Sequence, residues 1–377
     1  MITSETSGIW ELDDVYKKRG EGYLSGLINY SAGVFAWGGN SNGNGVLGLN
    51  DHANRSSPQQ LPGTQWTSIR GEWHGTLGLK TDGTLWSWGS NFSGGLGQNN
   101  TIHYSSPVQV PGTQWSEAVQ AFYYASFGIK TDGTLWSWGY NSSSRNTILG
   151  LGDAVDRSSP TQIPGTQWSK LFHHNNTIAA TKTDGTLYVW GGYNSTGDLG
   201  LNDTTPRTPP TQLPGTQWTH LCDGTALKSD NTMWAWGANE WGDLATNDRV
   251  HRSSPIQIPG SWTDIGKSAG IKTDGTLWRW GYNASGQLGQ NDRADRSSPV
   301  QIPGTQWDKV ESSFNGNYAT KTDGTLWTWG SNGLGRLGQN DGINYSSPVQ
   351  VPGVEWTILN DNPRTQIFAS RTGGFGT

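Results

Sequence analysis

Cysteine is almost missing from this chain: Cys222 stands alone among 377 residues, which excludes an intrachain disulfide framework. Charge is also scarce. Charged residues make up 15% of the chain, with 25 basic and 30 acidic side chains and a formal net charge of −5. The longest basic run is Lys17-Lys-Arg19, so neither a phosphate-tracking surface nor a nucleic-acid partner is expected. No stretch approaches the roughly twenty apolar residues of a membrane helix, so membrane insertion is not expected. The opening, Met1-Ile-Thr-Ser-Glu, lacks the basic-then-apolar layout of a signal peptide. Catalytic signatures are missing too. There is no Gly-x-Ser-x-Gly, His-Glu-x-x-His, P-loop or Cys-x-x-Cys arrangement. His52, His74, His103, His173, His174, His220 and His251 pair with no second ligand at a motif spacing. His173-His174 is the only doublet, and no metal, cofactor or enzymatic activity is expected. The absence of a paired-carboxylate cluster argues against a glycan-active enzyme.

What the chain has in abundance is repetition, glycine and tryptophan. A unit of about fifty residues is written seven times. Its clearest copy runs Trp66-Thr-Ser-Ile, a variable stretch, Lys80-Thr-Asp-Gly-Thr-Leu-Trp-Ser-Trp-Gly-Ser-Asn91, then Leu96-Gly-Gln-Asn and Ser105-Ser-Pro-Val-Gln-Val-Pro-Gly-Thr-Gln-Trp115. The closing tryptophan recurs at Trp66, Trp115, Trp168, Trp218, Trp262, Trp307 and Trp356. The Trp-Gly pair recurs at Trp37, Trp88, Trp138, Trp190, Trp236, Trp280 and Trp329. These fourteen of the 22 tryptophans are expected to pack between blades; only Trp10, Trp73 and Trp241 fall outside every recurring position.

Each unit reads as four short strands. Leu77 to Thr81 and Thr84 to Trp88 form a hairpin across Asp82-Gly83, a pair suited to a tight primed turn. Trp66-Thr-Ser-Ile and Val108-Gln-Val supply two more, the latter bracketed by Pro107 and Pro111 and therefore an outer edge. The fold class is all-β: a seven-bladed β-propeller over residues 31–377. The first Trp-Gly unit lacks the arm before it, and the tail Gln366-Ile-Phe-Ala-Ser-Arg-Thr-Gly-Gly374 matches that missing arm. Closure between the two ends is therefore expected, with residues 366–373 pairing with residues 33–38. Recurrent pairs such as Asp51/Arg55, Asp203/Arg207, Asp248/Arg252 and Asp292/Arg296 are expected to bridge within their loops.

The sentence Trp-x-Trp-Gly-x-Asn, Leu-Gly, Ser-Ser-Pro resembles the repeat of the regulator of chromosome condensation family, over roughly residues 30–375. That resemblance implies a seven-bladed ring. The family's best-known member acts on a small GTPase and chromatin through a β-wedge insertion and a basic tail, neither of which this sequence shows. Fold alone does not transfer that function.

Residues 1–30 stand outside the repeat. Ser7-Gly-Ile-Trp-Glu-Leu-Asp-Asp-Val-Tyr-Lys-Lys-Arg-Gly has a possible N-cap, acids before bases, and Ile9, Leu12 and Tyr16 on one face with Trp10 beside it. A short amphipathic helix follows, too short to stand alone and in need of a partner surface. The string Ser-Gly-Ile-Trp-Glu-Leu looks like segments of tailed-bacteriophage structural proteins. The expected function is a non-enzymatic virion component, whether fibre, tail adhesin or capsid decoration. Residues 1–30 would dock on other virion proteins, and the ring would offer itself to a host-surface glycan or protein, with homo-oligomerisation open. The alternative is an intracellular propeller scaffold that binds a protein partner.

Positions that vary between copies are free for recognition. The stretches after each first strand collect on one face, and Trp73, His74, Tyr123, Tyr124, His173, Asp223 and Arg364 are the candidate ligand- or partner-binding residues there. Phe122, Asn175 and Phe314 belong to the same stretches.

Overall fold

The computed structural model describes residues 33–358 and 366–371, apart from 41–43, 72–73, 122–123, 142–146, 175–176 and 313–315. The expected N-terminal helix, with Ile9, Trp10, Leu12 and Tyr16, lies outside these residues. Among the described residues the regular structure is built of β-strands, with a 3-10 turn at Phe92–Gly94.

Twenty-eight strands form seven antiparallel four-stranded sheets. Blade 2 shows the pattern: Trp66–Gly71, Gly75–Lys80, Leu85–Gly89 and Tyr104–Gln109 follow in sequence and in space. The first strand of each unit lies innermost, packed against the first strands of its neighbours. Blades 3 to 7 follow in chain order, beginning at Trp115, Trp168, Trp218, Trp262 and Trp307. Blade 1 is built from both ends of the chain. Gly33–Gly38 pairs with Gln366–Arg371 from Gly33↔Arg371 to Gly38↔Gln366, while Arg55–Gln60 and Trp356–Ile358 supply the outer and inner strands. The expected closure is therefore present, and no sheet edge is left open between first and last blade.

Two local readings need correction. The turn after Lys80 is not a two-residue primed turn. Gly83 N–H donates to the Lys80 carbonyl at 3.0 Å, Lys80 N–H donates to Thr84, and only Gly83 takes positive φ, at 74°. This is a three-residue loop whose last residue is left-handed. Asp82 serves it by accepting from both the amide and the hydroxyl of Thr84, at 2.9 and 2.6 Å. Second, the outer strand starts earlier than Pro107. It spans Tyr104–Gln109 and takes Pro107 inside it, because the ladder shifts between Ser87 and Gly89 and leaves Ser105 to Pro107 out of register. A proline in such a bulge on an edge costs no ladder bond. The bulge has a use: Asn50, Asn99, Asn202, Asn247, Asn291 and Asn340 each donate an amide to the serine carbonyl there in the following blade.

The core explains the tryptophans. Within every blade the innermost tryptophan meets the Trp-Gly tryptophan across the second strand, as in Trp66–Trp88 at 5.8 Å and Trp115–Trp138 at 5.9 Å, both edge to face. The strand between them needs a small residue. A Cβ on Gly78 would sit 2.6 Å from the Trp66 ring; Ala180, Ala226, Ala319 and Ala369 hold the same place in other blades. The lysine of Lys-Thr-Asp-Gly lies over two rings at once, Lys80 at 4.7 Å from Trp66 and 4.3 Å from Trp86.

Blades are stapled in one direction around the ring. Each Trp-Gly indole donates to a carbonyl in the loop between the third and fourth strands of the preceding blade: Trp88 to Val46, Trp138 to Gly95, Trp190 to Ile148, Trp236 to Asp198, Trp280 to Asp243 and Trp329 to Gln287. The seventh, Trp37 to Arg336 at 3.0 Å, closes the circle. That loop is held open by the asparagine of Trp-Gly-x-Asn. In blade 6, Asn283 Oδ1 accepts from Leu288 N–H at 2.8 Å while Nδ2 donates to the Asp292 carbonyl. Asn40, Asn91, Asn141, Asn194, Asn239 and Asn332 repeat this, all buried. Asn91, Asn141 and Asn283 each open an Asn-x-Ser sequon, yet their side chains are buried in this structural role and not exposed for glycosylation. The four Asp/Arg pairs read from sequence bridge within their loops as expected, and Asp153/Arg157 makes a fifth.

Candidate functional site

Two sets of loops emerge at one end of the ring: the short variable ones between first and second strands, and the longer ones between third and fourth. The other end carries the repeated Lys-Thr-Asp-Gly turns and the links between blades. One end is thus uniform and the other diverse.

The structure divides the candidate residues. Trp73, Tyr123 and Arg364 lie outside the described residues, as do Phe122, Asn175 and Phe314, and nothing is described of the His173 side chain. Asp223 is no open ligand group. Its carboxylate is 1% exposed and bridges to Lys267 of the next blade at 3.1 Å. His74 and Tyr124 come together from adjacent blades, their rings stacked at 4.4 Å with 25° between planes. Phe92, from the long loop of blade 2, is 52% exposed and meets Tyr124 edge-on at 5.5 Å and His103 at 4.7 Å. Burial raises the Tyr124 hydroxyl above its ordinary pKa, so it stays protonated.

A second exposed cluster sits across the same end, between blades 5 and 6. Trp241 is 45% exposed; its ring meets Tyr282 at 5.0 Å, and the Arg249 guanidinium lies 5.9 Å from its centroid. Trp241 was readable as an off-pattern tryptophan, and Arg249 lies on its own loop, but Tyr282 was not readable as a partner, since it comes from the loop of the next blade.

Around the axis stands a set of ionic residues that the sequence did not disclose. The third residue of successive innermost strands is Glu117, Lys170, His220, Asp264 and Lys309 around the axis. Glu117 pairs with Arg70 of blade 2 at 3.0 Å and Asp264 with Lys309 at 3.3 Å. Burial raises both carboxyls despite those cations. Burial first, then Arg70, Lys170 and Lys309, drive the His220 imidazole well below its ordinary pKa, keeping it neutral. In blade 6, Arg279 replaces the small residue that other blades carry as Ala36, Ser87, Ser137, Val189, Ala235 or Thr328. Its buried guanidinium donates to Ser312 Oγ at 2.5 Å and to Asn317 Oδ1 in blade 7, and burial lowers its pKa to about 9. Cys222 nearby is buried, and its thiol pKa is raised well above the ordinary value. Among the described residues no group of three or more His, Cys, Asp or Glu side chains is placed to hold a metal ion. No helix among them is long and apolar enough to cross a membrane.

Comparison with known proteins accords with this architecture. Residues 82–123, 274–320 and 323–372 match the Regulator of chromosome condensation (RCC1) repeat. Three stretches of the chain thus read as RCC1 repeats. Human WBSCR16 superposes with a TM-score of 0.77 at 19% identity, covering 91% of this chain and 100% of that one. Prp20p of Saccharomyces cerevisiae, whose structure was reported with its binding properties to Gsp1p and histones, gives 0.78 at 16% identity, covering 92% and 93%. The same yeast protein bound to Kap60 gives 0.77 at 16% identity, covering 99% and 95%. At these identities the likeness is one of fold. No curated protein sequence matches the chain.

Proposed function

We propose that this RCC1-type ring is a non-enzymatic recognition module of a larger particle. The observation that carries the proposal is the Trp241–Tyr282–Arg249 cluster, which exposes the residue types that dominate binding hot spots at the diverse end of a closed ring. A scaffold built wholly from repeated positions has no need of an exposed tryptophan, and exposed aromatic clusters rimmed by charge mark interaction sites.

The particle is the virion of a tailed bacteriophage, as fibre, tail adhesin or capsid decoration. Support for this setting is the resemblance of residues 7–12 to tailed-phage structural segments and the amphipathic character of residues 9–16, with Ile9, Trp10, Leu12 and Tyr16 as docking residues. Its partners are then other virion proteins at residues 1–30 and a host surface at the loop face. A second reading, an intracellular propeller that binds a protein, draws on Prp20p, which binds Gsp1p and histones.

The test is incorporation. Particles assembled with full-length chain and with a chain lacking residues 1–25 are purified and their proteins identified by mass spectrometry. The full chain is expected in the particles; the truncated chain is expected to stay folded in solution and be missing from them. A full chain missing from every particle fraction but bound to a soluble protein overturns the virion setting in favour of the second reading. A truncated chain that unfolds makes residues 1–25 part of the fold and removes the docking role.

A further inference from the structure

We propose that the Phe92–His103–Tyr124–His74 cluster is a stacking subsite for a neutral saccharide, separate from the Trp241 cluster. The inference rests on the diverse end being the recognition face. It goes further in assigning a ligand class to one corner of it.

The first argument is backbone strain at Tyr124. This residue sits at φ 65°, a left-handed conformation unfavourable for a bulky side chain. Glycine would take this conformation without strain. Two glycines tie the Tyr124 backbone in place: a Cβ on Gly95 or Gly139 would fall 2.4 or 2.0 Å from the Tyr124 carbonyl oxygen. The loop is therefore shaped to hold a tyrosine where the backbone prefers glycine. Strain retained in this way points to a use for the side chain.

The second argument is the form of the surface. Phe92 presents an exposed ring, and its edge contacts to His103 and Tyr124 fix its tilt. The His74–Tyr124 stack, drawn from blades 2 and 3, makes a second flat element beside it. Ring faces of this kind pack against the apolar C–H face of a pyranose while hydroxyl groups seek hydrogen bonds at the edges. Such bonds are at hand. His103 Nδ1 accepts from the Asn91 amide at 2.8 Å, so that nitrogen carries no proton and Nε2 is the donor. The Tyr124 hydroxyl remains protonated. Among the described residues no ion pair is found at Phe92, His103 or Tyr124, in contrast to the Arg249–Asp295 pair beside Trp241. At these three residues the surface offers neutral polar groups, which suit a neutral saccharide.

Saturation-transfer NMR on the full chain tests this directly, with maltohexaose, cellohexaose and N-acetylchitohexaose as probes. At least one probe is expected to show saturation of its ring-face protons. Phe92→Ala and Tyr124→Gly are each expected to reduce that signal at least fivefold. Tyr124→Gly should melt within about 2 °C of the parent or above it, since glycine relieves the strained φ. Trp241→Ala should leave the saccharide signal unchanged, so loss of partner capture in that variant and loss of saccharide in the other two are separate outcomes. The proposal is overturned if no probe shows saturation at millimolar concentration, or if both cluster variants bind as the parent does. A Tyr124→Gly chain that melts many degrees lower would make the ring a packing element and overturn it as well.

Discussion

The repeat works at the residue scale by giving each side chain one hydrogen-bond or packing duty. Asp82 shows how. Its counterparts Asp132, Asp184, Asp230, Asp274 and Asp323 also accept from the threonine two residues on, side chain and amide together. The threonine hydroxyl first, then its amide, holds all six carboxyls below the ordinary aspartate range. A carboxyl whose folded pKa is depressed gives stability above the unfolded pKa and loses it as pH falls through the folded one. The unfolded chain takes up these protons from about pH 4 downward. Melting temperature is therefore expected to be flat from pH 5 to 7 and to fall steeply below pH 4. Changing all six aspartates to asparagine should flatten that acid limb, and an unchanged limb would remove these turns as its cause. The aspartates were legible in sequence as turn residues. The turn's type was not, because Asp-Gly serves both a primed turn and a three-residue loop, and only the position of the left-handed residue separates them.

Elements depend on groups that a sequence shows as mere loop. The asparagine of Trp-Gly-x-Asn recurs in the sequence without showing its duty, and it is the buried peg of every long loop. Removing the Asn283 side chain strands the buried Leu288 amide and frees the Asp292 carbonyl. Asn283→Ala is expected to cost about 2–3 kcal/mol in chemical denaturation, the price of an orphaned buried donor with a lost acceptor contact. A loss below about 0.5 kcal/mol, the usual size at an ordinary surface site, would show that the loop holds itself. Strand number and order were readable because Trp, Asp-Gly and Ser-Ser-Pro recur at fixed offsets. The bulge at Ser105 to Pro107 was not, since a ladder shift leaves no mark in residue type. Arg279 and Tyr124 become visible only when one position is compared across all blades, which requires the register first.

For the whole molecule, closure decides everything else. The ring places diverse loops at one end, and it can do so only because residues 366–371 complete the first blade. Part of the candidate face was legible as variable stretches of sequence. The Trp241 and Phe92 clusters were not, since each joins loops from two strands' ends or two blades. The seven indole staples run in one direction, and the last, Trp37 to Arg336, lies where the chain's two ends meet. Calorimetry of a chain ending at Gly353 therefore tests the account most directly. Loss of the inner two strands of blade 1 is expected to lower the melting temperature of the whole protein by more than about 10 °C, given the several kcal/mol held in buried strands. The single transition should broaden as blades 2 and 7 lose their neighbour. A truncated chain that melts as sharply and as high as the full one would contradict the closed ring.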